Sequence, residues 1–142
     1  MLTPRCAINH AATTVFPNAV VAARTTETAP FYLHQQFWAS SLAPVKKRLR
    51  RGVVQVAVVA LDDLVRRHAP SLLIVDVEGT EVELIEGSEL TGVQKVLIEL
   101  HHKVIGMAGV KRVFDRLSRL GFGYDPVFSQ LGVVLFRRVA DD

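Results

Sequence analysis

In the second half of the sequence, apolar runs of strand length alternate with segments of helical character, and this alternation restricts the fold more than any other feature. Residues 53–59, 72–77 and 95–100 are rich in Val, Ile and Leu. Such runs favour strands, and strands that alternate with helices build a parallel sheet with helices on its faces. The predicted order from residue 53 is strand, helix, strand, helix, strand, helix, strand, strand.

Two of the predicted helices are recognised by polar residues at their beginnings. The first begins at Asp62 or Asp63, whose carboxylate would accept backbone N–H bonds at the helix start. The second covers residues 81–90, where Thr80 and Glu83 have the spacing of a capping box. Both helices are therefore predicted to be short and capped by side chains.

The third helix and the end of the chain complete the predicted fold. Residues 110–120 carry apolar side chains at helical spacing, and Gly121 is suited to end that helix. Residues 122–127 and 132–138 are two strand-like runs joined by a short connection, as in an antiparallel hairpin. We therefore predict an α/β fold with a mostly parallel sheet and a C-terminal antiparallel hairpin.

The first part of the chain has weaker patterns. Residues 1–17 are left unassigned, and the apolar runs at 18–23 and 30–34 are interpreted as a β-hairpin. Residues 35–51 are expected to be irregular and include a basic run at 46–51. A basic run attracts phosphate-bearing partners, but neither interleaved aromatic residues nor a known nucleic-acid-binding motif accompanies it. We expect a solvated loop and no nucleic-acid partner.

Composition is typical of one globular domain without a membrane segment. The chain has 142 residues, of which 49% are hydrophobic and 22% are charged. Its longest apolar stretch, residues 53–61, contains Gln55 and is far shorter than the roughly 20 residues of a spanning helix. No secretory signal pattern occurs at the start, and Cys6 is the only cysteine. We therefore expect a cytoplasmic protein with no membrane association.

Polar side chains follow two strands that are expected to be neighbours. Asp76 and Glu78 end one strand, and Glu99 and His101 end the next. Because ligands bind beyond the carboxyl ends of strands in open α/β sheets, these side chains should line one pocket. Gly79 would let the backbone turn sharply into the following helix. A carboxylate and imidazole set suits general acid–base catalysis or a divalent cation, although each residue alone also fits a structural role.

The segments around these residues are similar to the FkbM family of S-adenosylmethionine-dependent methyltransferases. The similarity is carried by residues 60–64 (ALDDL), 73–87 (LIVDVEGTEVELIEG) and 96–99 (VLIE), and it extends more weakly over residues 18–138. On this resemblance, residues 18–142 are assigned to a partial FkbM-type methyltransferase domain.

The resemblance implies a class I methyltransferase-like, Rossmann-like fold and methyl transfer from S-adenosylmethionine to a hydroxyl oxygen of a small molecule or sugar. It implies that Asp76 and Glu78 line the substrate side of the crevice. Glu99 and His101 would assist deprotonation of the acceptor. Because the methyl sulfonium needs little activation, catalysis would rest mainly on positioning.

Two departures from the family's pattern lead to further expectations. Ile74 stands where family members usually carry lysine, and no glycine precedes Gly52. The family's first strand and glycine-rich turn should lie upstream of residue 18, where residues 1–17 are too few to hold them. We therefore expect a domain truncated at its amino end that binds the cofactor weakly or not at all on its own. An open sheet edge would then favour homo-oligomers.

Two other functions stay open from the sequence. The absent glycine-rich turn favours a non-catalytic remnant or a partner-binding subunit. The combination of Asp76, Glu78, Glu99 and His101 favours a metal-dependent enzyme. Cofactor binding measured with and without a divalent metal ion would distinguish these functions from methyl transfer.

Overall fold

The computed structural model describes residues 18–23, 25–36, 39–42, 44 and 50–139. Seven strands and three helices are formed by these residues. In chain order they are β1 (Ala19–Val21), β2 (Thr28–His34), β3 (Arg50–Ala60), α1 (Leu61–His68), β4 (Leu72–Val75), α2 (Glu81–Glu86), β5 (Lys95–Glu99), α3 (His102–Arg119), β6 (Phe122–Gln130) and β7 (Val133–Arg138). Residues 1–17 and most of the basic run lie outside the described residues.

The first three strands form a sheet of their own, with β3 in the centre. β1 pairs with β3 in parallel, and β2 pairs with the other edge of β3 in antiparallel orientation. The predicted hairpin between residues 18–23 and 30–34 is therefore wrong. Both runs pair with β3 instead. β3 has 11 residues and is rich in β-branched side chains, so it is a longer partner for each run than the other run would be.

The other four strands form a mixed sheet in the order β4-β5-β7-β6. β4 and β5 are parallel and connected through α2, whereas β7 is antiparallel to both β5 and β6. The C-terminal hairpin is confirmed, but the mostly parallel sheet is wrong. A parallel pair needs a crossover connection, and β5 neighbours β7, which follows β6 through a tight turn. β3, expected to extend this sheet, belongs to the first one instead.

Helix α1 begins directly after β3, without the predicted side-chain cap. Ala60 is its N-cap residue, and neither Asp62 nor Asp63 bonds to the helix start. The Asp62 carboxylate instead accepts the backbone N–H groups of Glu89 (3.1 Å) and Leu90 (3.3 Å). Asp62 therefore connects α1 to the loop after α2, a tertiary contact that the local pattern does not reveal.

Helices α2 and α3 also differ from their predicted limits. The predicted capping box is wrong, since α2 has no side-chain cap and the Thr80 hydroxyl donates to the carbonyl oxygen of Val77 (3.3 Å). α2 ends at Glu86 rather than near residue 90. α3 begins eight residues earlier than predicted because a short helical turn precedes the longer helix. Gly106, with a φ angle of 68°, is not helical and separates the two parts. Among the described residues, no helix is long and apolar enough to cross a membrane.

The hydrophobic core lies between the second sheet and its helices. Val20 of β1 packs against it, so both sheets contribute to one apolar interior. Fully or almost fully buried members are Leu61, Val65, Val75, Val82, Ile85, Leu90, Val93, Val96, Ile98, Val113, Leu117 and Phe136.

The free edge of β4 borders an apolar cavity. In the described part of the chain, β4 pairs with β5 alone, and Ile74 on this strand is 67% exposed. A cavity of about 320 Å³ runs along this edge and is lined by α1, β1 and β4. Asp76 and Val77, directly after the strand, also line this cavity.

Candidate active site

A tight turn after β4 places the first pair of acidic side chains. Two consecutive residues of this turn have positive φ angles, 52° at Glu78 and 105° at Gly79. Glycine adopts this region readily, whereas a glutamate there is uncommon and strained. A Cβ atom at Gly79 would lie 2.6 Å from Cγ1 of Val104 on α3, so the turn also passes very close to that helix. Strain of this kind is concentrated at functional sites.

The end of β5 places the second pair. Glu99 is the last residue of β5, and the Leu100 N–H donates to the carbonyl oxygen of Gly132 (2.8 Å). His101 is the N-cap residue of α3, and its carbonyl oxygen accepts the N–H groups of Val104 and Ile105. The main chain on both sides of the imidazole is therefore fixed by hydrogen bonds.

The imidazole of His101 is the centre of the cluster. Its Nε2 atom lies 3.3 Å from Oε2 of Glu78, 3.9 Å from Oδ1 of Asp76 and 4.0 Å from Oε1 of Glu99. The predicted convergence of these four side chains is confirmed, but only Asp76 and Glu78 line the cavity that borders this turn. Their catalytic roles stay a prediction.

A fifth residue, Glu81, belongs to the cluster and was missed by the sequence analysis. Its side chain is fully buried, and its Oε1 atom lies 2.5 Å from Nδ1 of His101. The same oxygen accepts the backbone N–H of Gly79 (3.0 Å). In the described structure the second oxygen, Oε2, is buried without a hydrogen-bond partner. Acidic residues are common in the first turn of a helix, so the pattern around Glu81 does not indicate that its side chain faces the site.

The grouping of charges shifts two pKa values. Burial raises the pKa of the Glu78 carboxyl and the negative charges of Asp76, Glu99 and Glu81 raise it further, against the opposing effect of His101. Burial lowers the pKa of the His101 imidazole, but the hydrogen bond and charge of Glu81, with the charge of Glu78, outweigh it and raise the pKa above its ordinary value. The cluster therefore favours a cation at the imidazole and resists further negative charge.

The acidic turn borders a second cavity of about 250 Å³. Strands β1 and β2 and the segment between β2 and β3 supply the opposite wall, which includes the hydroxyl-bearing residues Ser40 and Ser41. This cavity and the apolar cavity along β4 are both lined by Val20, Asp76 and Val77. Together they have the size of a small-molecule site, with one apolar and one polar compartment that meet at Asp76.

Comparison with known proteins assigns the chain to a family. The family model described as the methyltransferase FkbM domain matches residues 1–124. The chain belongs to the FkbM methyltransferase family. The matched region contains Asp76, Glu78, Glu81, Glu99 and His101. No curated protein and no solved structure matches the chain.

The described residues fit only part of the cofactor that the FkbM resemblance implies. The apolar cavity would accept a flat, uncharged ring, and Asp76 would accept hydrogen bonds from a hydroxyl or ammonium group. Among the described residues that line the two cavities there is no glycine, so no close-approach turn for the cofactor's amino-acid part borders them. The acceptor side of the site is therefore the better defined one.

Proposed function

We propose that this FkbM family member is an S-adenosylmethionine-dependent methyltransferase that acts on a hydroxyl oxygen of a small molecule or sugar. The observation that carries the proposal is the cluster of carboxylates around the His101 imidazole, of which Asp76 and Glu78 line the 250 Å³ cavity, in a methyltransferase-family chain. When bound, the cofactor supplies an activated methyl group. The residues described here have to orient the acceptor and remove its proton.

Asp76 and Glu78 orient the acceptor in this proposal. Both line the polar cavity, and ionised carboxylates accept hydrogen bonds from the hydroxyl groups of sugars and related metabolites. The turn that carries Glu78 is held against α3, so the position of its carboxylate is defined before the substrate binds. Placement of this kind supplies much of the rate enhancement when the methyl donor is already reactive.

His101 accepts the proton of the acceptor hydroxyl, and the carboxylate of Glu99 assists. They lie at the end of β5, with Oε1 of Glu99 4.0 Å from Nε2 of His101. The Glu81 carboxylate holds the other ring nitrogen and stabilises the imidazolium that proton transfer forms. Proton transfer by a positioned side chain typically contributes about 10²–10⁴-fold to a rate.

The test is a methyl-transfer assay with the full chain, methyl-labelled S-adenosylmethionine at high concentration and a panel of sugars, polyols and phenols. Labelled product and S-adenosylhomocysteine are measured together. We expect His101→Gln and Glu99→Gln to lower kcat by about 10²-fold or more with a smaller change in KM. Glu83→Gln, a change to an exposed carboxylate on α2, is the matched control and should leave kcat unchanged.

Two results would contradict the proposal. Equal kcat values for the wild type, Glu99→Gln and His101→Gln would remove the proposed proton acceptors. Absence of both turnover and cofactor binding across the panel would overturn methyl transfer and favour a non-catalytic, partner-binding subunit.

A further inference from the structure

The cluster around His101 holds an excess of negative charge. Asp76, Glu78, Glu81 and Glu99 all lie within ion-pair distance of this one imidazole. In the part of the chain that the structure describes, no lysine or arginine forms an ion pair with any of them. A protonated imidazole neutralises at most one of the four carboxylates, so the site retains an excess of negative charge that a bound cation would offset.

Three of these residues have the geometry of a metal site. Asp76, Glu78 and His101 each offer one ligand atom, and these atoms lie within 4.8 Å of one another. Ligand atoms about 2.1 Å from a shared ion are roughly 3.0–3.4 Å apart at tetrahedral or octahedral angles. The distance from Nε2 to Glu78 is already 3.3 Å, and Asp76 at 3.9 Å is a 57% exposed side chain that reaches the ion by a small rotation.

Glu81 provides the second, independent observation. It is fully buried, is aimed at the imidazole, and has one carboxylate oxygen without a hydrogen-bond partner in the described structure. A buried carboxylate is costly unless its charge is compensated. Histidines that bind metals almost always donate their other ring N–H to such a group, which directs the free nitrogen towards the ion. The Glu81 to Nδ1 contact therefore leaves Nε2 facing Asp76 and Glu78.

We propose that Asp76, Glu78 and Nε2 of His101 bind one divalent cation, with Glu81 as the positioning residue for the imidazole. Mixed carboxylate and imidazole ligands suit Mn²⁺ or Zn²⁺ better than Mg²⁺ or Ca²⁺, which prefer oxygen ligands alone. The metal site does not depend on the proposed methyl transfer, whereas a catalytic role of the ion rests on that function. A bound ion would hold the acceptor hydroxyl, and Glu99 would then take its proton in place of His101.

The test measures Mn²⁺ binding to the full chain by calorimetry, without any cofactor or substrate. We expect one ion per chain in the wild type and no binding at this site in Asp76→Asn, a change at an exposed residue that leaves the fold intact. Glu81→Gln should weaken binding by about 10–100-fold, the usual effect of removing an outer-shell carboxylate. Glu83→Gln, on the exposed side of the same helix, should bind Mn²⁺ as the wild type does.

A second measurement locates the ion. Bound Mn²⁺ should broaden the backbone NMR signals of Gly79 and Leu100, which flank the cluster. The signal of Gly92, before the opposite end of β5, should stay sharp. Equal Mn²⁺ affinity in the wild type and Asp76→Asn, or equal broadening at Gly79 and Gly92, would overturn the metal site. Because no methyl transfer is measured, failure of the proposed function leaves this result unaffected.

Discussion

Replacement of Gly79 by alanine tests whether the turn after β4 is held in place by close packing on α3. Gly79 has a φ angle of 105°, and a Cβ atom there would lie 2.6 Å from Cγ1 and 3.2 Å from Cβ of Val104. Because the Cβ contact is also short, rotation of the valine about χ1 does not remove the clash. The turn has to move away from α3.

The expected loss of stability has two parts. A positive φ angle costs a residue other than glycine about 1–2 kcal/mol, and overpacking against Val104 adds about 1–3 kcal/mol. The lower entropy of the unfolded alanine chain returns about 0.4–1 kcal/mol. The net loss for Gly79→Ala is therefore about 1–4.6 kcal/mol, which corresponds to a fall in Tm of roughly 3–14 °C at about 3 °C per kcal/mol.

The chain contains a matched control for the φ contribution. Gly92 has a φ angle of 85°, and nothing lies within 4 Å of the position that a Cβ atom would take. Gly92→Ala should therefore lose only about 1 kcal/mol. Addition of Val104→Ala to Gly79→Ala should restore part of the stability that overpacking removes. The effects of the two changes should therefore couple in a double-mutant cycle.

The assay is urea unfolding followed by circular dichroism, with thermal unfolding as a second measurement. Equal losses for Gly79→Ala and Gly92→Ala, or additive effects of Gly79→Ala and Val104→Ala, would refute the packing argument. In that case the position of Glu78 would not depend on contact with α3.

Four further predictions concern other parts of the chain. Glu78→Asn, which removes a strained glutamate at φ 52° for a residue that tolerates this region, should raise stability by about 0.5–1 kcal/mol in urea unfolding while Mn²⁺ binding is lost. Ala69→Gly, at the left-handed C-cap of α1, should also stabilise the chain by roughly 0.5 kcal/mol by the same assay. Ile74→Lys adds a charge at the free edge of β4 and should reduce self-association measured by light scattering across a concentration series. A hydrogen bond from Arg112 lowers the pKa of the Glu86 carboxyl in the folded chain. The stabilisation by this pair is therefore complete above the pKa that Glu86 has in the unfolded chain, and it is lost as the pH falls through the lower pKa of the folded chain. The difference in unfolding free energy between the wild type and Glu86→Gln should accordingly shrink below about pH 4.

The position of the site was predictable because it depends on one local unit. A strand, a short helix and a second strand joined in sequence form a parallel pair, and this pair alone brings the ends of β4 and β5 together. Asp76, Glu78, Glu99 and His101 could therefore be placed at one edge without knowledge of the remaining sheet. The prediction needed only the apolar runs and the polar residues that follow them.

The arrangement of the other strands was not predictable in the same way. An apolar run indicates that a strand forms, but it does not determine which other strand it pairs with. β1 and β2 were interpreted as partners, whereas each pairs with β3. In the second sheet, α3 connects β5 to β6, and the hairpin after β6 places β7 between these two strands, antiparallel to both. Pairing of this kind is decided by competition between long-range partners, which the sequence pattern does not express.

The side-chain partners of residues at the helix starts could not be predicted from the sequence either, and the reason bears on function. Thr80 and Glu83 match a local capping pattern, yet the residue between them that matters is Glu81, whose partner His101 lies 20 positions later. A local rule considers only neighbours within a turn and so assigns a polar residue to the helix start. The burial of Glu81 becomes visible only after β4 and β5 have brought α2 and α3 together.

Strain, buried charge and close packing coincide within four residues of the turn after β4. Glu78 adopts a positive φ angle, Gly79 passes against α3, and Glu81 is buried with one unpaired oxygen. The positive φ angle of Glu78 and the unpaired oxygen of Glu81 both oppose folding, so selection for stability alone would remove them. All three act on the position of the same imidazole and the carboxylate beside it. Two unfavourable features beside His101 are what the proposed binding or catalytic role predicts, because local strain is concentrated at functional sites.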